Sequence, residues 1–90
     1  MKKENNQPIC KTDEFGKYWY LDSIIHREDG PAVEYLSGAK CWCFHGKYHR
    51  LDGPAIENTN GDKFWFFHEK LINCSSQEEF ERLIKLKILW

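Results

Sequence analysis

From Tyr18 to His68 the chain alternates short apolar runs with clusters of turn-forming residues. The runs are Tyr18–Leu21, Ala32–Leu36, Lys40–His45, Ala55–Asn58 and Lys63–His68, each of strand length. Ser37-Gly38 and Asn60-Gly61 separate two pairs of runs, and Asn-Gly is among the strongest short hairpin signals. Asp29-Gly30-Pro31 and Asp52-Gly53-Pro54 lie between the others. There a residue tolerant of positive φ precedes one of fixed φ, a cue for chain reversal. Hairpin following hairpin predicts an antiparallel meander of about five or six strands.

Strand periodicity sorts the apolar residues onto two faces. Trp19, Leu21, Trp42, Phe44, Trp65 and Phe67 fall on one; Tyr18, Tyr20, Cys41, Cys43, Phe64 and Phe66 fall on the other. Both faces are apolar, so one builds the core while the other needs a cover. The last segment offers one. Ser75 with Glu78 and Ser76 with Glu79 form two overlapping capping boxes. They predict a helix from about Gln77 to the chain end, with Phe80, Leu83, Ile84 and Ile88 along one stripe. Leu86 and Leu89 fall outside that stripe and Trp90 at its margin, which leaves apolar surface for a further contact.

The pattern repeats. His26-Arg27-Glu28-Asp29-Gly30-Pro31-Ala32-Val33-Glu34 returns as His49-Arg50-Leu51-Asp52-Gly53-Pro54-Ala55-Ile56-Glu57, a step of 23 residues. The same step carries Trp19 to Trp42 to Trp65, and Lys17 to Lys40 to Lys63. It also relates Gly38 to Gly61, Phe44 to Phe67, His45 to His68 and Lys47 to Lys70. The expected fold is α+β but mostly β: an antiparallel meander of tandem 23-residue hairpin repeats with a C-terminal capping helix. Residues 1–14 form an N-terminal extension, 15–73 the repeats and 74–90 the helical cap.

Composition narrows the function. Ninety residues make one small domain, and 4 Trp, 4 Tyr and 6 Phe supply rings enough to fill a thin core. Thirteen basic against 14 acidic residues give a net charge of −1, which argues against a binder of the phosphate backbone. With neutral charge the Trp column is better read as core than as a platform for bases. No segment is long or apolar enough to span a membrane, and the start Met1-Lys2-Lys3 lacks the apolar stretch of a signal peptide. The expected location is cytoplasmic. Cys41 and Cys43, on one strand, would lie roughly 6.5–7 Å apart, too far for an unstrained bridge. Reduced thiols fit that compartment.

Three clusters carry candidate chemistry. Cys41, Cys43 and His45 are weak metal candidates on one strand face; their spacing is not that of a zinc knuckle, and Tyr and Phe occupy the cysteine positions in the other units. Cys43 with a nearby His lacks a third, orienting group, so no catalytic residue and no cofactor is expected. His26, Arg27, His49 and Arg50 form a repeated edge that either holds anions or serves the scaffold, with Asp29 and Asp52 capping turn amides, each Arg paired nearby and each His packed between units. The scaffold reading is favoured, since turns recur for backbone reasons.

The 23-residue period, with Trp42-Cys43-Phe44-His45-Gly46-Lys47-Tyr48-His49 as an aromatic strand and a Gly-Lys turn, resembles the MORN repeat over roughly Phe15 to Ile72. One extra residue separates Trp from Gly-Lys, the Tyr-x-Gly strand entry is missing, and Glu69 replaces the glycine in the third copy. His-Arg-x-Asp-Gly-Pro-Ala itself resembles a MORN-like repeat of small tailed-phage and bacterial proteins. The resemblance implies a hairpin array used for binding. The expectation is a non-enzymatic, phage-encoded module acting in the host cytoplasm on a bacterial protein, as an inhibitor of a defence system of anti-CRISPR type. His26, Arg27, His49, Arg50, Leu86, Leu89 and Trp90 are its candidate contacts. The alternatives are a binder of phosphate ligands or membrane surfaces through the His-Arg edge, and a homo-oligomer joined through the helix.

Overall fold

The computed structural model describes residues 7–88, with side chains through residue 86. Leu89 and Trp90, two of the candidate contacts, lie outside the described residues, as does the side chain of Ile88. The chain is mostly β, an antiparallel, hairpin-built sheet with one C-terminal helix. The strands are β1 (Ile9–Thr12), β2 (Gly16–Leu21), β3 (Ile24–Ile25), β4 (Val33–Tyr35), β5 (Lys40–Cys41), β6 (Cys43–Phe44), β7 (Lys47–Tyr48), β8 (Ile56–Glu57), β9 (Lys63–Phe67) and β10 (Lys70–Ile72). The main sheet runs β1-β2-β4-β5-β8-β9-β10, with β3 attached to β2; β6 and β7 form a separate ribbon. The extension contributes an edge strand, β1, paired to β2 from Ile9↔Tyr20 to Thr12↔Lys17.

Two kinds of turn alternate. Tyr35 N–H donates to Ala39 O, and Asn58 N–H to Asp62 O, closing three-residue loops in which Gly38 and Gly61 take positive φ. This is a type I turn ended by a left-handed residue. The tighter turns lie elsewhere. Asp22-Ser23, His45-Gly46 and His68-Glu69 have positive φ at both central positions, the signature of the type I′ hairpin. Five of these six residues are not glycine and take the conformation without its freedom, so contacts outside the turn must help to hold it. His45 N–H donates to His26 Nδ1 at 2.8 Å and Gly46 N–H to Ile25 O at 2.8 Å. His68 N–H donates to His49 Nδ1 at 2.9 Å and Glu69 N–H to Tyr48 O at 2.8 Å. Each of these two hairpin tips is thus docked on the segment 19 to 21 residues before it.

One face of the sheet is sealed by the chain itself. Backbone bonds run from Trp19 N–H to Ala32 O and from Trp42 N–H to Ala55 O, while Trp65 pairs with Ile72. Across the strands the order is therefore Trp19, Ala32, Trp42, Ala55, Trp65, Ile72. Both alanines have no exposed surface, and large alternating with small gives the indoles room. The His-Arg loops cover Trp19 and Trp42. The helix α1 (Gln77–Ile88) covers Trp65: Phe80 and Ile84 are buried with Trp65 and Ile72, and Leu83, Phe67 and Cys74 pack against them. Trp65 Nε1–H donates to Gln77 Oε1 at 2.8 Å, and Gln77 Nε2 donates to Leu51 O at 2.8 Å, fixing the helix start. Of the two capping boxes, Ser76 with Glu79 is used: Ser76 Oγ accepts from Glu79 N–H, and Glu79 Oε1 accepts from Ser75 N–H.

The register also sorts the remaining residues. On the sealed face Lys17, Glu34, Lys40, Glu57 and Lys63 are direct neighbours in turn, an alternation of charge that favours this pairing over a slipped one. On the opposite face the corresponding row is Lys11, Tyr18, Val33, Cys41, Ile56 and Phe64. In that row Val33 is buried, Tyr18, Cys41 and Ile56 are half-buried, and Lys11 and Phe64 are exposed. The molecule is accordingly a plate, 42 × 36 × 16 Å.

Candidate functional site

The two His-Arg-x-Asp-Gly-Pro loops make the same set of contacts. Arg27 Nε donates to Asp29 Oδ1 at 3.0 Å, and one terminal nitrogen donates to Pro31 O and Glu34 Oε2, both at 3.1 Å. Arg50 does the same with Asp52, Pro54 O and Glu57, all at 3.0 Å. The guanidinium of Arg27 lies 3.9 Å from the ring centre of Trp19, and that of Arg50 lies 3.6 Å from that of Trp42. These are close cation–π stacks. The glycine of each loop is there for space. A Cβ on Gly53 would lie 2.6 Å from Arg50 Cζ, and one on Gly30 would lie 3.0 Å from Arg27 Cζ. Neither glycine has positive φ, so the tolerance of that conformation noted in the sequence is not used here. Guanidinium is sandwiched between indole and a bare backbone.

Each loop histidine is turned toward the next hairpin. His26 is only 1% exposed and its ring stacks on that of His45 at 4.4 Å; His49 stacks on His68 at 4.3 Å. Because Nδ1 of each accepts a backbone N–H, the neutral ring carries its proton on Nε2. Burial lowers the pKa of His49 from its ordinary value, and the neighbouring His68 adds to the shift. Of the repeated edge, then, His26 is withdrawn from the surface, and Arg27 and Arg50 are each held between two carboxylates. Asp29 and Asp52 pair with these arginines rather than capping turn amides. Leu86 is half exposed on the helix.

Between the loops lies a cleft of about 680 Å³. Its floor is Trp42 and Phe44, and its walls are residues 27–31 from one loop and 49–52 from the other. The Glu28, Asp29 and Asp52 side chains on its rim are 73%, 86% and 88% exposed. In the lining itself Glu28, Asp29 and Asp52 outnumber Arg27 and Arg50 by one, so the rim is weakly acidic; Glu34 and Glu57 behind them are balanced by Lys17, Lys40 and Lys63 on the neighbouring strands. Leu51, 53% exposed, stands at the rim as well. Sequence reasoning read this edge by its arginines and missed the cleft. The signal lay in the acidic residues of the motif, Glu28 and Asp29 in one copy and Asp52 in the other, directly after each arginine.

Cys41, Cys43 and His45 do not share one strand face. The ladder is interrupted at Trp42, and His45 sits in a turn stacked on His26. Burial, with Cys41 alongside, pushes the Cys43 thiol up to about 12, so it is protonated at neutral pH and a poor nucleophile or ligand. Among the described residues no three His, Cys, Asp or Glu side chains are grouped to hold a metal ion. No described helix is long and apolar enough to cross a membrane. No protein-family model, curated protein or solved structure matches this chain.

Proposed function

We propose that this chain is a non-enzymatic protein-binding module, a tandem array of 23-residue hairpin units that receives a basic segment of its partner in the cleft between the loops. The observation that carries this reading is the cleft: an aromatic floor, an acidic rim and an exposed leucine, all fixed to rigid hairpins. A lysine or arginine side chain entering it would meet Trp42 and Phe44 below and carboxylates on either side. A phosphate group would meet those same carboxylates, which speaks against the phosphate-ligand alternative. The resemblance to phage-borne repeats supports a bacterial protein as that partner, and inhibition of a defence protein as the outcome.

Glu28 and Leu51 are exposed, and Glu28 makes one long bond inward, to His26 Nε2 at 3.4 Å, so Glu28→Lys with Leu51→Glu should keep the circular dichroism at a small cost in Tm. Capture of protein from bacterial lysate by tagged wild type should yield a stoichiometric partner that the double variant loses. A partner captured equally well by both would place binding elsewhere. Capture of nucleic acid or anionic lipid in its stead, falling steeply with salt, would favour the phosphate reading.

A further inference from the structure

The hairpin tip at His68-Glu69 is held by a titratable atom. His49 Nδ1 accepts the N–H of His68 at 2.9 Å, so that nitrogen must be free of a proton for the bond to exist. The tip's other tie, from Glu69 N–H to Tyr48 O, is backbone alone. His68 and Glu69 both have positive φ without being glycine, a strained conformation that persists only while its surroundings hold it. In the middle unit the same turn ends in Gly46, which takes positive φ freely. The third hairpin is thus the one that depends on its histidine.

The two loop histidines also differ in their surroundings. His26 is buried, with Glu28 Oε2 3.4 Å from its Nε2, so a charged ring there would meet a carboxylate. Leu51 takes the place of Glu28 in the second loop, and His49 lines the cleft. Facing His49 are His68, stacked at 4.3 Å, with Glu69 next in the turn; Arg27, Glu28 and Asp29 from the first loop; and Arg50 and Asp52 of its own loop. Carboxylates in the lining exceed guanidinium groups by one, so a single proton on His49 cancels that excess. We infer that His49 is a proton-operated latch: on taking up a proton at Nδ1 it lets go of the His68 N–H, frees the hairpin tip and removes the net negative charge of the cleft in one step. Burial and the neighbouring His68 lower the pKa of His49 from 6.5, so the latch is closed above that value and opens as pH falls through a lower one. The regulatory consequence rests on the cleft being the receptor for a basic segment. Proton and guest then oppose one another, and by reciprocity a bound guest holds the latch shut.

The test is a titration of the isotope-labelled full chain by NMR, from pH 7.5 to about 5. The His49 ring nitrogens and the His68 and Glu69 amides should move with one midpoint below 6.5, while the helix amides from Phe80 to Ile84 keep their positions. His49→Asn keeps an acceptor oxygen near the place of Nδ1 and takes no proton, so in that variant the tip should not respond to pH. Tip amides that stay in place while the wild-type His49 titrates would overturn the inference. So would simultaneous movement of every amide, which is global unfolding, or an unchanged tip response in His49→Asn. The wild-type titration decides the matter even if that variant loses its fold. An acetylated, amidated tri-arginine peptide is the basic probe for the cleft. Its affinity should fall by at least about fivefold over the same pH range, and clearly less in His49→Asn. Equal affinity at both ends, with the tip opening, would sink the coupling to the cleft. No binding at pH 7.5 would count against the receptor reading alone, because the NMR titration needs no guest.

Discussion

Gly53→Ala tests the claim that the loop glycine exists to admit a guanidinium. Alanine is conformationally acceptable there, since Gly53 does not have positive φ, but its Cβ would lie 2.6 Å from Arg50 Cζ. Arg50 must leave its seat. It would forfeit the stack on Trp42, worth about 0.5–2 kcal/mol. The bonds to Pro54 O and Glu57 would go too, at about 1 kcal/mol each net. The pair with Asp52 adds little, because that carboxylate is 88% exposed and screened by solvent. Against this stands about 0.4–1 kcal/mol from the stiffer unfolded chain. The expected net loss is about 2–3 kcal/mol, or a Tm lower by roughly 8–20 °C for a domain of this size. Gly30→Ala, with 3.0 Å to Arg27 Cζ, should lose less than half as much, since shifts of a few tenths of an ångström relieve it. The decisive assay is a double-mutant cycle by urea denaturation. With Arg50→Ala already in place, Gly53→Ala should be neutral or slightly stabilising. An unchanged penalty in that background would refute the reasoning and assign the glycine a backbone role.

Two further outcomes follow from the turns and histidines. Glu69 occupies the second left-handed position of its type I′ turn, at φ 70°, where the middle unit has Gly46. Glu69→Gly should therefore raise stability by roughly 0.5–1 kcal/mol in thermal denaturation; a loss would show that the Glu69 side chain is needed. His49 has a pKa lowered by burial and by His68, so the unfolded chain binds the proton more readily. Its contribution is fully present above the unfolded value of about 6.5 and is lost as pH falls through and below it. Urea midpoints should drop between pH 7.5 and 5.5, and less steeply in His49→Gln; equal slopes would remove His49 from the acid response.

The parts of this fold legible in the sequence are those that neighbouring residues decide. Gly38 and Gly61 mark their turns because a left-handed residue closes each loop, and Ser76 with Glu79 announces the helix start. The alternation that sends Trp one way and Tyr or Phe the other holds on β2 and β9, whereas in the middle unit the ladder stops at Trp42 and Cys43 passes to the β6-β7 ribbon. Elsewhere the deciding contact is remote. His45 and His68 take positive φ while bonded to histidines 19 residues earlier, which no local pattern displays. The short strands β3, β7 and β10 exist only because those turns close. Ile9–Thr12 carries no strong strand pattern, and its four residues are all exposed; pairing with β2 makes it a strand. At the site, the same motif could have served an exposed arginine. Only the tryptophan 8 residues before each arginine, lying under its guanidinium, turns it inward.

The two faces divide the work between them. Each loop spends its arginine and histidine on fixing the tryptophan layer and the next hairpin, so what it offers outward is carboxylate and leucine. That makes the loop face selective, because buried guanidinium groups hold the acidic rim in place without neutralising all of it. The opposite face has another character: its row from Tyr18 through Val33, Cys41 and Ile56 to Phe64 carries no charge, so selectivity toward a partner rests with the loops.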